Sequence, residues 1–273
     1  MSSLLVNIAY YMNSQKRVDN KNGIIKSSKE FTDETLHGIK KYLEEINFYS
    51  EFTHIDIILD VNEENTDIYK IDFSIYNNIN NIQIISHSFM PHKNEHPFRL
   101  TTKHRFNVLK NIDNYDWFMY SEDDTILSKE SIPFLICNTD YFFEKTGLLY
   151  TIPRLVYDSR NNYFFSDIIK SSSFPKNKAN YKIPTNRFGA CWFYSQKIVK
   201  EWINHKSFLN FNFPNVNGGI RVKMGLGFIE KQAVIPVNDK TNIPEIQCVH
   251  LGYSGKKYFK HANGFHTLPI NCL

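Results

Sequence analysis

The sequence predicts an α/β protein built on a mostly parallel sheet flanked by helices. Three observations carry that prediction. Leu4 to Tyr11 is an apolar run interrupted only by Asn7, the mark of a strand buried on both faces. Leu36, Ile39, Leu43 and Ile46 then recur at helical spacing, behind a Thr32 that can cap and an Asp33-Glu34 pair that suits a helix start. His54 to Leu59 predicts the next buried strand, ending at Asp60. Strand, helix, strand in that order makes a parallel pair joined by a right-handed crossover.

The remaining elements follow by the same reasoning. Ser14 to Ser28 is polar and charged and predicts an exposed loop. Ile68 to Ile75 predicts a short edge strand and Ile82 to Ile85 another strand. Ser86 to Pro97 carries His87, His92 and His96 with two prolines, and predicts a loop beside the active site. The histidine spacing fits no closed zinc site, and no cysteine is near. Leu100, His104, Val108 and Ile112 mark a helix at i, i+4 spacing that carries Lys103 and Arg105. Those two cations suit either solvent or phosphate. Ser128 can cap a helix with Pro133 in its early turns and Ile132, Leu135, Ile136 and Phe143 inward. Leu148 to Tyr157 and Tyr163 to Phe165 predict strands joined by a turn over Asp158-Ser159-Arg160-Asn161-Asn162. Phe188 to Tyr194 is the third strong apolar run, and Ser195 caps a helix with Ile198, Val199, Trp202 and Ile203 inward. Beyond Asn210 the chain predicts loops.

Composition narrows the function. The chain has 273 residues, with no internal repeat and no clear linker, so the expectation is one domain of two fused halves, about 1–127 and about 128–273. A net charge of +4, with no basic run, speaks against a nucleic-acid binder. The cysteines Cys137, Cys191, Cys248 and Cys272 form no CxxC pair, and two lie in apolar runs, which favours a reducing compartment. The N-terminus lacks the basic and apolar regions of a signal peptide, and no apolar run approaches the roughly 20 residues of a membrane span. A cytoplasmic protein is expected.

The chemistry concentrates at Trp117-Phe118-Met119-Tyr120-Ser121-Glu122-Asp123-Asp124-Thr125-Ile126-Leu127. An apolar run leads into consecutive acids, which places Glu122, Asp123 and Asp124 where a buried strand leaves the sheet. Ligands of open α/β sheets bind at that end of the strands. Adjacent carboxylates repel one another, and a divalent cation offsets that repulsion. A solvated acidic turn that caps a helix is the alternative.

With these pieces placed, the chain resembles the GT-A family of nucleotide-sugar glycosyltransferases. Glu122-Asp123-Asp124 matches the Glu-Asp-Asp form of that family's DxD motif, as in N-acetylglucosaminyltransferases. The resemblance implies a GT-A fold, Rossmann-like, with a mostly parallel central sheet and a small second antiparallel sheet. It implies Mn²⁺ or Mg²⁺ held by Asp124 directly and by Glu122 through water, with Asp123 beside the nucleotide-sugar donor. Arg187-Phe188-Gly189-Ala190-Cys191-Trp192 resembles the family's wall for donor sugar and acceptor, where Gly189 admits a close approach and Trp192 offers a flat face; a plain core strand is the other reading of Trp192. Gly227-Phe228-Ile229-Glu230 resembles the segment that supplies the base of inverting members, with Lys231 where a second acid often stands. Glu230 is then the base, or else a surface residue at a helix start. Val249-His250-Leu251-Gly252-Tyr253-Ser254-Gly255-Lys256 resembles the C-terminal His-to-Lys segment of glycogenin-like members. It implies His250 as a metal ligand, with a core histidine as the alternative, and Lys256 near the diphosphate. Tyr10 and Asp60 stand where similar folds meet the base and ribose, with ordinary strand-end residues as the alternative, and Lys103 is a further phosphate candidate.

The function implied is sugar transfer from a UDP- or GDP-linked donor to a saccharide or other hydroxyl acceptor, with inversion. The alternatives are a nucleotidyltransferase, whose usual Gly-rich loop is absent after Tyr11 (only Gly23 is there), and a non-catalytic nucleotide- or carbohydrate-binding protein.

Overall fold

The computed structural model describes residues 2–10, 28–62, 66–88, 97–123, 125–157, 163–165, 181–182, 191–206, 208–209, 228, 231–236 and 245–250. Its central sheet holds β1 (Ser3–Tyr10), β2 (His54–Asn62), β3 (Asn81–His87), β4 (Trp117–Glu122) and β10 (Cys191–Ser195), in the order β10-β4-β1-β2-β3. The pairs β1·β2, β2·β3 and β1·β4 are parallel and β10·β4 is antiparallel. Strand order therefore reverses between β1 and β4, and such a reversal opens a crevice at the carboxyl ends of the strands.

The alternation of side chains along β1 sorts the core into two layers. Leu4, Val6, Ile8 and Tyr10 pack on one face with Ile39, Tyr42 and Leu43 of α1 (Ser28–Ile46) and with Ile132 and Leu135 of α3 (Ile132–Thr146). Leu5 and Ala9 pack on the other face with Val108 of α2 (Lys103–Asn111) and with Ile198, Val199 and Trp202 of α4 (Gln196–Ile203). Burial on both faces is what the apolar run of β1, interrupted only by Asn7, requires. The helix α4 begins as expected: Ser195 leaves the strand extended and its Oγ accepts from the Ile198 N–H.

Two small sheets complete the fold. One runs β6 (Leu149–Tyr150), β11 (Gln232–Pro236), β9 (Tyr181–Lys182), and the other runs β5 (Thr125–Leu127), β12 (Cys248–His250), β7 (Arg154–Tyr157), β8 (Tyr163–Phe165). Each contains a parallel and an antiparallel pairing, so the single antiparallel sheet expected from the sequence is replaced by two mixed ones.

Other departures have local causes. Ile68 to Ile75 forms two 3-10 turns, not a strand: Ile68 and Ile71 are buried three residues apart, Ile75 is exposed, and the Asp72 side chain accepts from the Ser74 N–H at 3.0 Å. The expected strand from Leu148 to Tyr157 divides between the two small sheets around Pro153, which has no N–H to offer a ladder. α1 starts at Ser28, ahead of the expected Thr32 cap. The chain beyond Asn210 includes β11 and β12, where only loops were expected. Among the described residues Cys137, Cys191 and Cys248 form no disulfide: Cys191 and Cys248 are buried, as their apolar surroundings predict, with the Cys248 thiol 3.6 Å from the Pro153 carbonyl, and Cys137 is exposed. No helix among the described residues is long and apolar enough to cross a membrane.

Candidate functional site

Strand register sets the site in rows. Ile58, Asn7, Tyr120 and Trp192 lie side by side across β2, β1, β4 and β10. Two residues further along, on the same face, lie Asp60, Ala9 and Glu122. The first row is closed core. Trp192 has 0% exposure, stacks on Tyr194 at 5.0 Å between ring centroids, and meets Trp202 edge-on at 5.4 Å. His104 of α2 stacks on Tyr120 at 4.0 Å. Its Nδ1 lies 2.6 Å from the Thr101 carbonyl, which only accepts, so Nδ1 carries the hydrogen. Burial, then the neighbouring Arg105 charge, pushes the His104 pKa well down, so the ring is neutral. Trp192 thus occupies the core position of its two sequence readings and presents no face to a ligand here.

The second row opens into the acidic corner. Ser121, fully buried, donates its hydroxyl to the Thr125 carbonyl and, at 3.2 Å, to the Glu122 carbonyl. The Asp123 N–H donates to the Ala9 carbonyl at 3.2 Å and so carries the β1·β4 ladder one step past the strand. The chain then reverses into β5, which leaves the central sheet and pairs with β12. That pairing sets His250 opposite Thr125, Val249 opposite Ile126 and Cys248 opposite Leu127. Partners directly opposite across an antiparallel pair are about 5 Å apart at Cα. β5 is pinned from two more sides: the Tyr49 hydroxyl donates to the Leu127 carbonyl at 2.7 Å, and the Ser128 N–H donates to the Gln247 carbonyl at 3.1 Å. Glu122 and Asp123 are half-buried.

The negative potential of this tip reaches inward. Burial, followed by the charges of Glu122, Asp123 and Asp60, drives the Tyr120 hydroxyl pKa well above the phenol range. A cation is attracted to the same potential. Carboxylate oxygens at a backbone corner are the donor set that Mg²⁺ and Mn²⁺ take. Among the described residues, which do not include Asp124, no group of three or more His, Cys, Asp and Glu side chains converges as a complete metal site.

Asp60 builds a second polar cluster beside the first. It is 1% exposed. Its Oδ1 lies 2.7 Å from His87 Nε2, and its Oδ2 accepts from Asn107 Nδ2 at 2.9 Å. Burial raises its pKa, while His87, Asn107 and Lys103 pull it back, in that order. The three partners come from the end of β3 and from α2, where Lys103 and Asn107 are one helical turn apart.

Of the residues singled out in the sequence, the fold gathers Asp60, Lys103, Glu122, Asp123 and the backbone of His250 at one edge of the sheet. Tyr10 is fully buried in the α1-side core. Arg105 is buried too: its Nη1 donates to the Phe208 carbonyl at 2.8 Å and its guanidinium lies 5.2 Å from the Trp202 ring centroid, so it is a structural cation and neither a solvated nor a phosphate-facing one. Asp124, Gly189, Glu230 and Lys256, with His92 and His96, lie outside the described residues. Sequence reasoning passed over Asn107, and saw His87 only among the zinc candidates. The signal for Asn107 was its i+4 spacing from Lys103.

No protein-family model matches the chain, and no curated protein matches it. Solved structures do. They include 4-diphosphocytidyl-2C-methyl-D-erythritolsynthase from Anaerococcus prevotii DSM 20548, at 15% identity and TM-score 0.32 over 80% of this chain and 81% of that one. HddC from Yersinia pseudotuberculosis matches at 13% identity and TM-score 0.35 over 95% of this chain and 97% of that one. Mannose-1-phosphate geranyltransferase from Thermus thermophilus matches at 9% identity and TM-score 0.35 over 92% of this chain and 74% of that one. Likeness at these values concerns the fold and says nothing of activity.

Proposed function

We propose that the chain is a metal-dependent glycosyltransferase that moves a sugar from a UDP- or GDP-linked donor to a hydroxyl acceptor, with inversion. The observation that carries this reading is the β5·β12 register, which sets His250 opposite Thr125, the residue that follows Glu122-Asp123-Asp124. Residues more than a hundred positions apart thereby meet at the carboxyl edge of the sheet, beside the reversal of strand order where ligands of such sheets bind. An acidic turn that only caps a helix requires no such partner.

In this reading Asp124 and His250 would hold the metal, with Glu122 reaching it through water and Asp123 beside the donor. Bound Mn²⁺ or Mg²⁺ supplies charge stabilisation for the departing diphosphate. Lys103 and Lys256 add positive charge for the same oxygens. Glu230 removes the proton of the acceptor hydroxyl as that oxygen attacks the anomeric carbon.

Incubation with a panel of UDP- and GDP-sugars and Mn²⁺ tests it, with nucleoside diphosphate release as the readout. Release that stops in excess chelator, and falls at least about 100-fold in Asp124→Asn while the melting temperature holds, is the expected result. Undiminished release in either case removes the metal role. Pyrophosphate release from a nucleoside triphosphate and a sugar phosphate identifies a nucleotidyltransferase instead. Nucleotide binding without any release identifies a binding protein.

A further inference from the structure

The central sheet has two edges, and the fold treats them differently. β10 is buried along all five of its residues. β3, at the other edge, has no buried residue, and among the described residues no strand pairs with its outer side. Such an edge is a row of backbone donors and acceptors ready to pair with another strand. Proteins that leave one in solvent blunt it with charges, prolines or bulges. β3 carries none of these. Asn81-Ile82-Gln83-Ile84-Ile85-Ser86-His87 holds no Lys, Arg, Asp, Glu or Pro. Its register with β2 runs without a break from Asp56 opposite Asn81 to Asn62 opposite His87. Its isoleucines are only half-covered on both faces: Ile82 and Ile84 lie against the α1-side core, and Ile85 lies against the α2-side core.

We propose that β3 is the interface of a homodimer, in which it pairs antiparallel with β3 of a second copy of this chain and joins two five-stranded sheets into one. The strand matches itself. A two-fold axis perpendicular to the sheet keeps like faces together, and centred on Ile84 it pairs all seven residues. Ile84 then meets Ile84 of the partner subunit, and Ile82 meets Ser86 of the partner subunit. Gln83 meets Ile85 of the partner subunit, and Asn81 meets His87 of the partner subunit. No carboxylate or ammonium meets its like along the joint, and the isoleucines of each face stand opposite or diagonal to their copies. A second copy brings this match with it. The pairing uses up the same edge on both chains, so assembly closes at two. The carboxyl ends of the two sheets then point in opposite directions, so the two acidic corners lie at opposite ends of the joint.

Sedimentation equilibrium and light scattering of the full chain test it. The wild-type chain should be a dimer at about 100 μM and dissociate on dilution, as a short edge-to-edge interface does. Gln83→Lys combined with Ser86→Lys puts charges on two exposed positions of the edge. That variant should dimerise at least about tenfold more weakly, with the melting temperature of the dilute protein unchanged. Register gives an independent readout, in a Cys137→Ser background that removes the exposed native thiol. Ile84→Cys should cross-link to its own copy under mild oxidation, whereas Ile82→Cys, which faces Ser86 of the partner subunit, should not. A wild-type chain that stays monomeric at about 100 μM overturns the proposal and leaves the edge to a segment of this chain or to a strand of another protein. A dimer that survives both lysines assembles through another face and overturns it too. Equal cross-linking at Ile82→Cys and Ile84→Cys reports random collision and has the same consequence.

Discussion

Two adjacent rows on one face of the central sheet differ in everything but their backbone. The row Ile58, Asn7, Tyr120, Trp192 is sealed, and its aromatic rings stack on one another and on His104. The row Asp60, Ala9, Glu122, two residues further on, carries carboxylates and a small central residue at the reversal of strand order. The passage from core to site therefore takes one repeat of the strand pleat, about 7 Å. Ala9 is itself buried, so the change between the rows lies in the residues beside it, from Ile58 and Tyr120 to Asp60 and Glu122. The lower row is the closed floor, and the upper row carries the acids of the candidate site.

The comparison breaks most readily at Trp192. If that residue belongs to the floor, Trp192→Ala removes a large buried ring from between Tyr194 and Trp202 and should cost about 3–5 kcal/mol in urea unfolding. A ligand-facing wall residue would instead lose affinity for the donor with stability changed by less than about 1 kcal/mol. That outcome would move Trp192 from the floor into the site.

The same boundary explains how much of the molecule the sequence disclosed. The long elements were legible because their apolar spacing repeats: β1 and β2 as runs with one polar interruption each, at Asn7 and Asp56, and α1, α2 and α4 at helical intervals. β11 and β12 were not, because strands of five and three residues carry no period of their own. Their identity comes from partners such as Leu127, well over a hundred residues from Cys248. The Ile68 to Ile75 stretch was misread although the buried pair Ile68 and Ile71 already stood at a helical interval. The site divides in the same way. Glu122-Asp123-Asp124 is contiguous and could be read. The cluster of Asp60, His87 and Asn107 is spread over three elements and exists only once β2, β3 and α2 are brought together. Trp192 and Glu122 look equally conspicuous in the sequence, and only the register separates floor from site.

A smaller effect is expected at Asn7. Its amide is fully buried in the floor, with neither polar atom hydrogen-bonded among the described residues. Leaving an amide so costs about 1–3 kcal/mol, whereas an apolar residue of similar size suits both the row and the strand. Asn7→Val should therefore raise stability by about 1 kcal/mol in denaturant unfolding. A loss of that size would mean that the amide is satisfied by buried water, and that the floor is wetter than the rings around it indicate.

The smallest effect, and the one that most sharpens the contrast, is at Asp60. Burial raises its pKa above the ordinary aspartate range despite the His87 and Asn107 contacts. An acid with a raised folded-state pKa holds its proton in the native protein after the unfolded chain has lost it. Folding stability from this group is therefore complete below the unfolded pKa and declines as pH rises through the folded one. Asn cannot ionise, so Asp60→Asn escapes that decline. The stability of the Asn variant relative to wild type should thus improve as pH rises from about 4, the unfolded aspartate value, through the raised folded one. The net difference at neutral pH should stay within about 1 kcal/mol. Denaturant unfolding of both proteins across that range measures it. A relative stability that worsens with rising pH would show that the ionised carboxylate is stabilised more by its two donors than it is penalised by burial, which would make Asp60 part of the scaffold and draw the edge of the floor one row higher.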